Sequence, residues 1–251
     1  MFIDTHCHLS IEDYDDIDEV INDNRKAGID KIIISGCTKE SIVESLELSK
    51  SYDDVFVTIG YHPSEAKITL NSDIVYLEKH LMDDKVVGIG EIGLDYHYGK
   101  DDIQLQKELF RKQMKLAEKY DLPVVIHSRD ATLDTITILK EFPSVVGDIH
   151  CFSGSLETAR QYINMGYYLG IGGVVTFTNS NLSAVVEKIG IDNVLFETDS
   201  PYLTPVPYRG KKNSSKYIPY ICKRISEIFN LDEDFVSAKV LENTYKLFDL
   251  K

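Results

Sequence analysis

His6 and His8 stand two apart at the start of the chain, in MFIDTHCHLS. On a strand, residues i and i+2 point to one face, so the two imidazoles converge, and neutral imidazole is the commonest metal ligand among side chains. A His-x-His pair also occurs as two surface side chains, so the pair by itself leaves both readings standing. Four further metal-competent side chains close short apolar runs: Glu91 in VVGIGE, His127 in PVVIH, His150 in VVGDIH and Asp199 in VLFETD. A histidine that ends a buried strand can be a satisfied core residue. A carboxylate there is harder to place, because burying it is costly unless it is paired or metal-bound. Glu197 and Asp199 share a face in VLFETD, and either fits as a ligand; Asp199, nearer the strand end, is the expected one.

The elements that must position these side chains follow from the apolar pattern. Strands are expected at 2–6, 31–36, 55–60, 86–91, 123–127, 145–150, 167–172 and 194–199, each a short β-branched and apolar run bounded by turn residues. Amphipathic stretches such as 16–28, 38–50, 104–121, 131–142, 156–166, 182–190 and 232–250 read as helices between and after them. Eight strands alternating with helices is the count of a closed (β/α)8 TIM-type barrel, an α/β fold, and 251 residues is the length of one such domain spanning 1–251. An open doubly wound sheet also fits the alternation. In a barrel the active site forms at the C-terminal strand ends. There the strand assignments put His6, His8, Glu91, His127, His150 and Asp199, drawn from five strands onto one rim.

Composition narrows the function classes. No apolar run has the length of a membrane span, and no basic segment followed by an apolar one marks a secretory signal, so a cytoplasmic protein is expected. Cys7, Cys37, Cys151 and Cys222 form no Cys-x-x-Cys pair, which excludes a zinc ribbon and a disulfide framework. Cys7 and Cys151 adjoin histidines, but strand alternation turns them away. The net charge of −14 argues against broad, nonspecific wrapping of nucleic acid, though metal cations can make a local site positive.

Other polar residues lie near the same rim. His62 follows the third strand and is placed either to touch substrate or to cap its loop. Arg129 in HSRDA, Ser153 in CFSG and Arg209 in PYRGKKN are candidate donors to an anionic substrate group. For Arg129 the competing partner is Asp130 or a nearby loop acid. His80, in a charged helical stretch, reads as a solvated surface residue, and His97 lies in the loop after Glu91.

Taken together, FIDTHCHL, IGYHP, GEIGLDYH, PVVIHSRDA, IHCFSGS and LFETDSPYLTPVPYRGKKN, with the closing NTYKLFDL, resemble the TatD family of metal-dependent deoxyribonucleases within the amidohydrolase-like barrels. The resemblance runs from the first residues to the last helix. It implies two divalent metal ions: His6 and His8 with Asp199 on one, His127 and His150 on the other, and Glu91 bridging them where the wider superfamily often has a modified lysine. One block departs. The family follows Gly-Lys-Arg-Asn with Glu-Pro, whereas this chain reads GKKNSSKY, with Lys212 in the arginine position and Ser214 and Ser215 in place of Glu-Pro. The departure bears on substrate contacts at the eighth-strand rim.

The expected chemistry is hydrolysis of a DNA phosphodiester, as an exonuclease, by a hydroxide activated between two metals, with Asp199 orienting the water and taking its proton and Glu91 fixing the metal separation. Zinc, manganese, nickel and cobalt suit imidazole and carboxylate ligands, and magnesium suits a shell completed by substrate oxygens. A hydrolase of a small amide, ester or lactone would use the same ligands, and a catalytically silent metal-binding scaffold is a third reading. No coiled coil or interface stripe is visible, so a monomer with no obligate protein partner and no membrane contact is expected.

Overall fold

The computed structural model describes residues 1–99 and 101–250. Eight strands run parallel in sequential order: β1 Phe2–Cys7, β2 Ile29–Gly36, β3 Val55–Ile59, β4 Val86–Asp95, β5 Val124–Arg129, β6 Gly147–Ile149, β7 Tyr168–Ile171 and β8 Val194–Phe196. Helices fill the connections: α1 Ile17–Lys26, α2 Lys39–Ser51, α3 Asn71–His80, α4 Ile103–Tyr120, α5 Thr132–Leu139, α6 Leu156–Asn164 and α7 Leu182–Ile189. Two more, α8 Ile218–Phe229 and α9 Glu233–Leu247, follow β8. The architecture is a TIM-type barrel, as the alternation of strands and helices led one to expect.

Local chemistry sets the helix starts. Asp16 caps α1 by accepting from the Glu19 N–H, and Thr38 and Ser41 form a reciprocal capping box at the start of α2. The two faces of the sheet separate by residue parity. Val55, Val57 and Ile59 join the large core cluster that also takes in helix residues such as Leu77, Phe110 and Met114. Phe56 joins a second cluster with Ile3, Ile33, Val87, Val125 and Leu195, to which Leu247, Phe248 and Leu250 contribute from the far end of the chain. The inner strand residues in this cluster sit mostly near strand starts, so the C-terminal segment plugs the lower mouth of the barrel.

Two residues further along the same face the interior turns polar. Ser35 follows Ile33, Thr58 follows Phe56 and Glu197 follows Leu195, with Asp148 contributed by β6; all four are buried. Another step of two brings His150 and Asp199, while on β5 it leads directly from Val125 to His127. An apolar floor, a polar middle and a histidine-carboxylate top are thus a consequence of the two-residue strand period.

Several strands end elsewhere than their apolar runs suggest, β4, β6 and β8 with consequences for the site. β4 continues past Glu91 to Asp95, because a register shift after Ile89 lets Ile92–Asp95 pair with Ile126–Arg129 of β5. β6 and β8 stop early. After Phe196 the chain leaves β7 and bonds to β1 instead: Asp199 N–H donates to the His6 carbonyl at 3.0 Å and His8 N–H to the Ser200 carbonyl at 2.7 Å. Side chains complete the seam. Asp4 accepts from the Thr198 N–H at 3.0 Å and from its hydroxyl at 2.6 Å, and the Thr5 hydroxyl donates to the Phe196 carbonyl at 3.0 Å. Among the described residues no helix is long and apolar enough to cross a membrane.

Candidate metal centre

The seam between β8 and β1 carries one half of the site. His6 lies on β1 and His8 one residue beyond it, and their rings meet edge to face with centroids 5.1 Å apart. Their Nε2 atoms both lie 3.6 Å from Asp199 Oδ1, and 3.6 and 3.7 Å from Glu91 Oε2. Those separations approach the roughly 3.3–3.6 Å between donors of a tetrahedral shell with bonds of about 2.0–2.2 Å. His6 is fully enclosed, and neither of its ring nitrogens has a hydrogen-bond partner among the described residues. A buried imidazole facing two carboxylates without a bond to either fits a metal ion between them.

The other half uses the second oxygen of the same glutamate. Glu91 Oε1 lies 2.6 Å from His127 Nδ1 and 2.8 Å from His150 Nε2, and these two nitrogens are 3.2 Å apart. The donors of this group are within hydrogen-bond distance of one another, closer together than those around His6 and His8. Glu91 is therefore shared between a His6–His8–Asp199 group and a His127–His150 group, one oxygen to each. It does so from the middle of β4 rather than its end.

Burial and neighbouring charge act in opposite directions here. Burial raises the Glu91 carboxyl, but His150 and His127 outweigh it and hold the group well below the usual carboxylate range. Burial pulls His127 down, yet its bonds to Asp95 and Glu91 prevail and lift it to about 9. His6, enclosed by desolvating groups and next to His150, is pushed well below the ordinary imidazole value and stays neutral, the form in which imidazole binds metal. Burial likewise brings His62 down to about 4.

Sequence reasoning passed over two acids that bear on the site, Asp95 and Asp4, and weighed a third, Glu197, only as the alternative to Asp199. Asp95 Oδ2 lies 3.2 Å from His127 Nε2, the nitrogen facing away from Glu91, and so orients that ring. Its signal was present in GEIGLDYH, since Glu91, Gly93 and Asp95 are spaced by two. Asp4 holds the seam described above. Glu197 lies one layer below Asp199, fully buried, with Oε1 accepting from the Cys151 N–H at 2.8 Å. Burial and the neighbouring Asp148 push its carboxyl well up. Gly170 permits this packing, because a Cβ there would overlap the Glu197 carboxylate. The Cys7 thiol points away from the histidines, toward the Ile33 carbonyl at 3.5 Å.

Two cavities open from the centre. One, of about 350 Å³, lies on the β1–β3 side and is lined by Ser10, Asp13, Ser41, Glu44 and His62 among others. The other, of about 590 Å³, lies on the β5–β8 side and is lined by Tyr98, Arg129, Ser153, Val174, Tyr202 and Leu203. His127, His150, Asp199 and Tyr202 line both.

The structure separates the four candidate substrate contacts. His62 reaches the centre, with Nε2 3.8 Å from Glu91 Oε1, and it also caps its loop through Nδ1, which accepts from the Ser64 N–H at 3.1 Å. Arg129 and Ser153 line the larger cavity. Asp130 faces His97 at 3.0 Å, not Arg129. Arg209 stacks its guanidinium 3.8 Å over the Phe177 ring. The atypical loop turns toward α1: the Ser214 hydroxyl donates to Asn24 Oδ1 at 3.0 Å, and Lys216 pairs with Asp23 at 2.9 Å. Lys212 bonds the Asp13 carbonyl. Ser214 and Ser215 are both buried, and the Ser215 hydroxyl meets Asp4 of the β1–β8 seam. His80, expected as a solvated surface residue, is half-buried instead: it pairs with Asp83 at 2.8 Å and its ring packs against Tyr76.

A family model described as TatD related DNase matches residues 3–249. YabD of Bacillus subtilis, an uncharacterized metal-dependent hydrolase, is 41% identical over 252 aligned residues that cover 99% of each chain. The crystal structure of the TatD homologue YjjV from Escherichia coli superposes with a TM-score of 0.90 at 32% identity, covering 99% of this chain and 98% of that one. A TatD family hydrolase from Entamoeba histolytica superposes with a TM-score of 0.88 at 26% identity, covering 100% of this chain and 98% of its own.

Proposed function

The chain belongs to the TatD-related DNase family, and on that premise we propose that it is a divalent-metal-dependent phosphodiester hydrolase acting on DNA as an exonuclease. The observation that carries the reading is the division of Glu91, one oxygen toward His6 and His8 and the other toward His127 and His150, at a centre open to two cavities. A closed structural site would not leave such access.

In this reading His6, His8, Asp199 and Glu91 hold one ion, and His127, His150 and Glu91 hold the second. Bound there, two divalent ions supply Lewis-acid stabilisation of the phosphoryl oxygens and lower the pKa of the attacking water. The protein's own groups do the rest. Asp199 directs Oδ1 at His6 and His8 and lines both cavities, so its carboxylate orients the water and takes its proton. Arg129 in the larger cavity donates to a non-bridging phosphate oxygen. Asp95 keeps His127 turned toward Glu91. Neither a serine nor a cysteine nucleophile is required, and the enzyme acts as a monomer.

The test is hydrolysis of a single-stranded DNA oligonucleotide by metal-stripped protein resupplied in turn with magnesium, manganese and zinc, beside His127→Ala. Metal-dependent cleavage that the variant loses supports the assignment. The acidic Asp13 and Glu44 in the smaller cavity favour a second reading, a hydrolase of an uncharged small ester, amide or lactone. A panel of such substrates turned over where DNA is not would transfer the assignment to it.

A further inference from the structure

The two cavities differ in what they offer a polyanionic strand. The smaller brings the carboxylates of Asp13 and Glu44 to one side of the centre, and a phosphate entering there would meet like charge. The larger carries the Arg129 guanidinium, the apolar walls of Val174 and Leu203, and two aromatic rings, Tyr98 and, on the border shared with the smaller cavity, Tyr202. Those tyrosines are 85% and 61% exposed, which leaves ring faces uncovered at the edge of the centre. Tyr98 is tied in place: Arg129 Nη1 donates to its hydroxyl at 3.4 Å, and the guanidinium carbon lies 5.3 Å from its ring centroid. Arg129 itself has no carboxylate partner among the described residues, so its charge is available. A volume of about 590 Å³ falls in the range that takes a small ligand.

Resting on the nuclease reading, we propose that this larger cavity is a nucleobase subsite. Tyr98 and Tyr202 stack the bases on one side of the scissile phosphate while Arg129 meets the adjoining phosphate. The strand approaches the centre from the β5–β8 side and does not run on through the acid-lined cavity, which accounts for cleavage at an end. Stacking on tyrosine faces is indifferent to base identity, because every base has a π-face. The subsite therefore sets affinity for single-stranded substrate without setting sequence.

The experiment is steady-state cleavage by the metal-loaded full chain of a single-stranded oligonucleotide and of its counterpart with abasic sites in place of the bases. Tyr98→Leu, Tyr202→Leu and Tyr202→Phe are compared with the unaltered protein. Each leucine variant is expected to raise KM on the ordinary oligonucleotide roughly 5- to 100-fold, with a much smaller change in kcat, and Tyr202→Phe to restore the original KM. On the abasic strand the leucine variants and the unaltered protein converge. Leucine variants with an unchanged KM, or a difference that persists on the abasic strand, would overturn the subsite while leaving the nuclease reading intact. Failure of the unaltered protein to cleave either strand with any metal would overturn both, and it is seen before any variant is made.

Discussion

Glu91 Oε1 sits 2.6 Å from His127 Nδ1, while Oε2 of the same carboxylate turns to His6 and His8. One side chain from the middle of β4 thus joins groups contributed by β1 and β8 on one side and by β5 and β6 on the other. Glu91→Gln keeps the shape and removes the charge. On the proposed two-ion reading, it is expected to lower bound metal to one ion or none per chain and activity by at least ~100-fold. Metal analysis after dialysis, run beside the activity assay, checks this; a variant that keeps two ions would remove Glu91 from the bridging position.

Asp95 acts through His127. With Oδ2 3.2 Å from Nε2, it fixes which nitrogen faces Glu91. Asp95→Asn is expected to weaken metal binding about 10- to 100-fold, the usual cost of losing a carboxylate behind a ligating histidine. Chelator competition measures it. A variant with unaltered affinity and activity would show that the ring is held by packing alone.

The Asp4–Thr198 clasp stands where a regular ladder would otherwise close the barrel. Thr198→Val removes the 2.6 Å bond and leaves a fully buried carboxyl with one hydroxyl donor fewer. The expected loss is about 1–3 kcal/mol, which for a chain of this size lowers Tm by about 2–4 °C per kcal/mol. Thermal melts of the metal-free protein report it without interference from ligand stabilisation. An unshifted Tm would place closure in the backbone bonds between His6 and Asp199.

In the loop that departs from the family pattern, Ser214 and Lys216 meet α1 and Lys212 bonds the Asp13 carbonyl, so its substitutions are expected to act on stability more than on substrate binding. Lys212→Arg is expected to leave KM within about twofold. Ser214→Ala, which loses the bond to Asn24, costs about 1 kcal/mol. Kinetics and denaturant titration separate the two effects. A large KM change in Lys212→Arg would mean that this loop reaches the substrate.

Much of this was legible because strand chemistry is local. Apolar runs such as KIIISG and VFVTIG specify strands without reference to the rest of the chain, and the two-residue period carries Leu195 to Glu197 to Asp199 through the layers of the interior. The six candidate ligands were visible for the same reason: four are polar residues where an apolar run stops, and His6 and His8 share a face by their spacing of two. Asp95 escaped notice because β4 outlasts its apolar run, and only the pairing with β5 reveals that extension.

The sequence by itself determined the order of strands and helices, the rim, and which side chains could bind metal there. The tertiary structure decided that Asp199 rather than Glu197 faces His6 and His8, that Glu91 divides its oxygens, and that the flanking cavities differ in charge. Periodicity is a property of neighbours along the chain, whereas a distance of 3.6 Å between Nε2 of His6 and Oδ1 of Asp199 depends on how β8 returns to β1. That return is made by Asp4, Thr5 and Thr198, residues nearly two hundred positions apart that only closure of the barrel brings into contact.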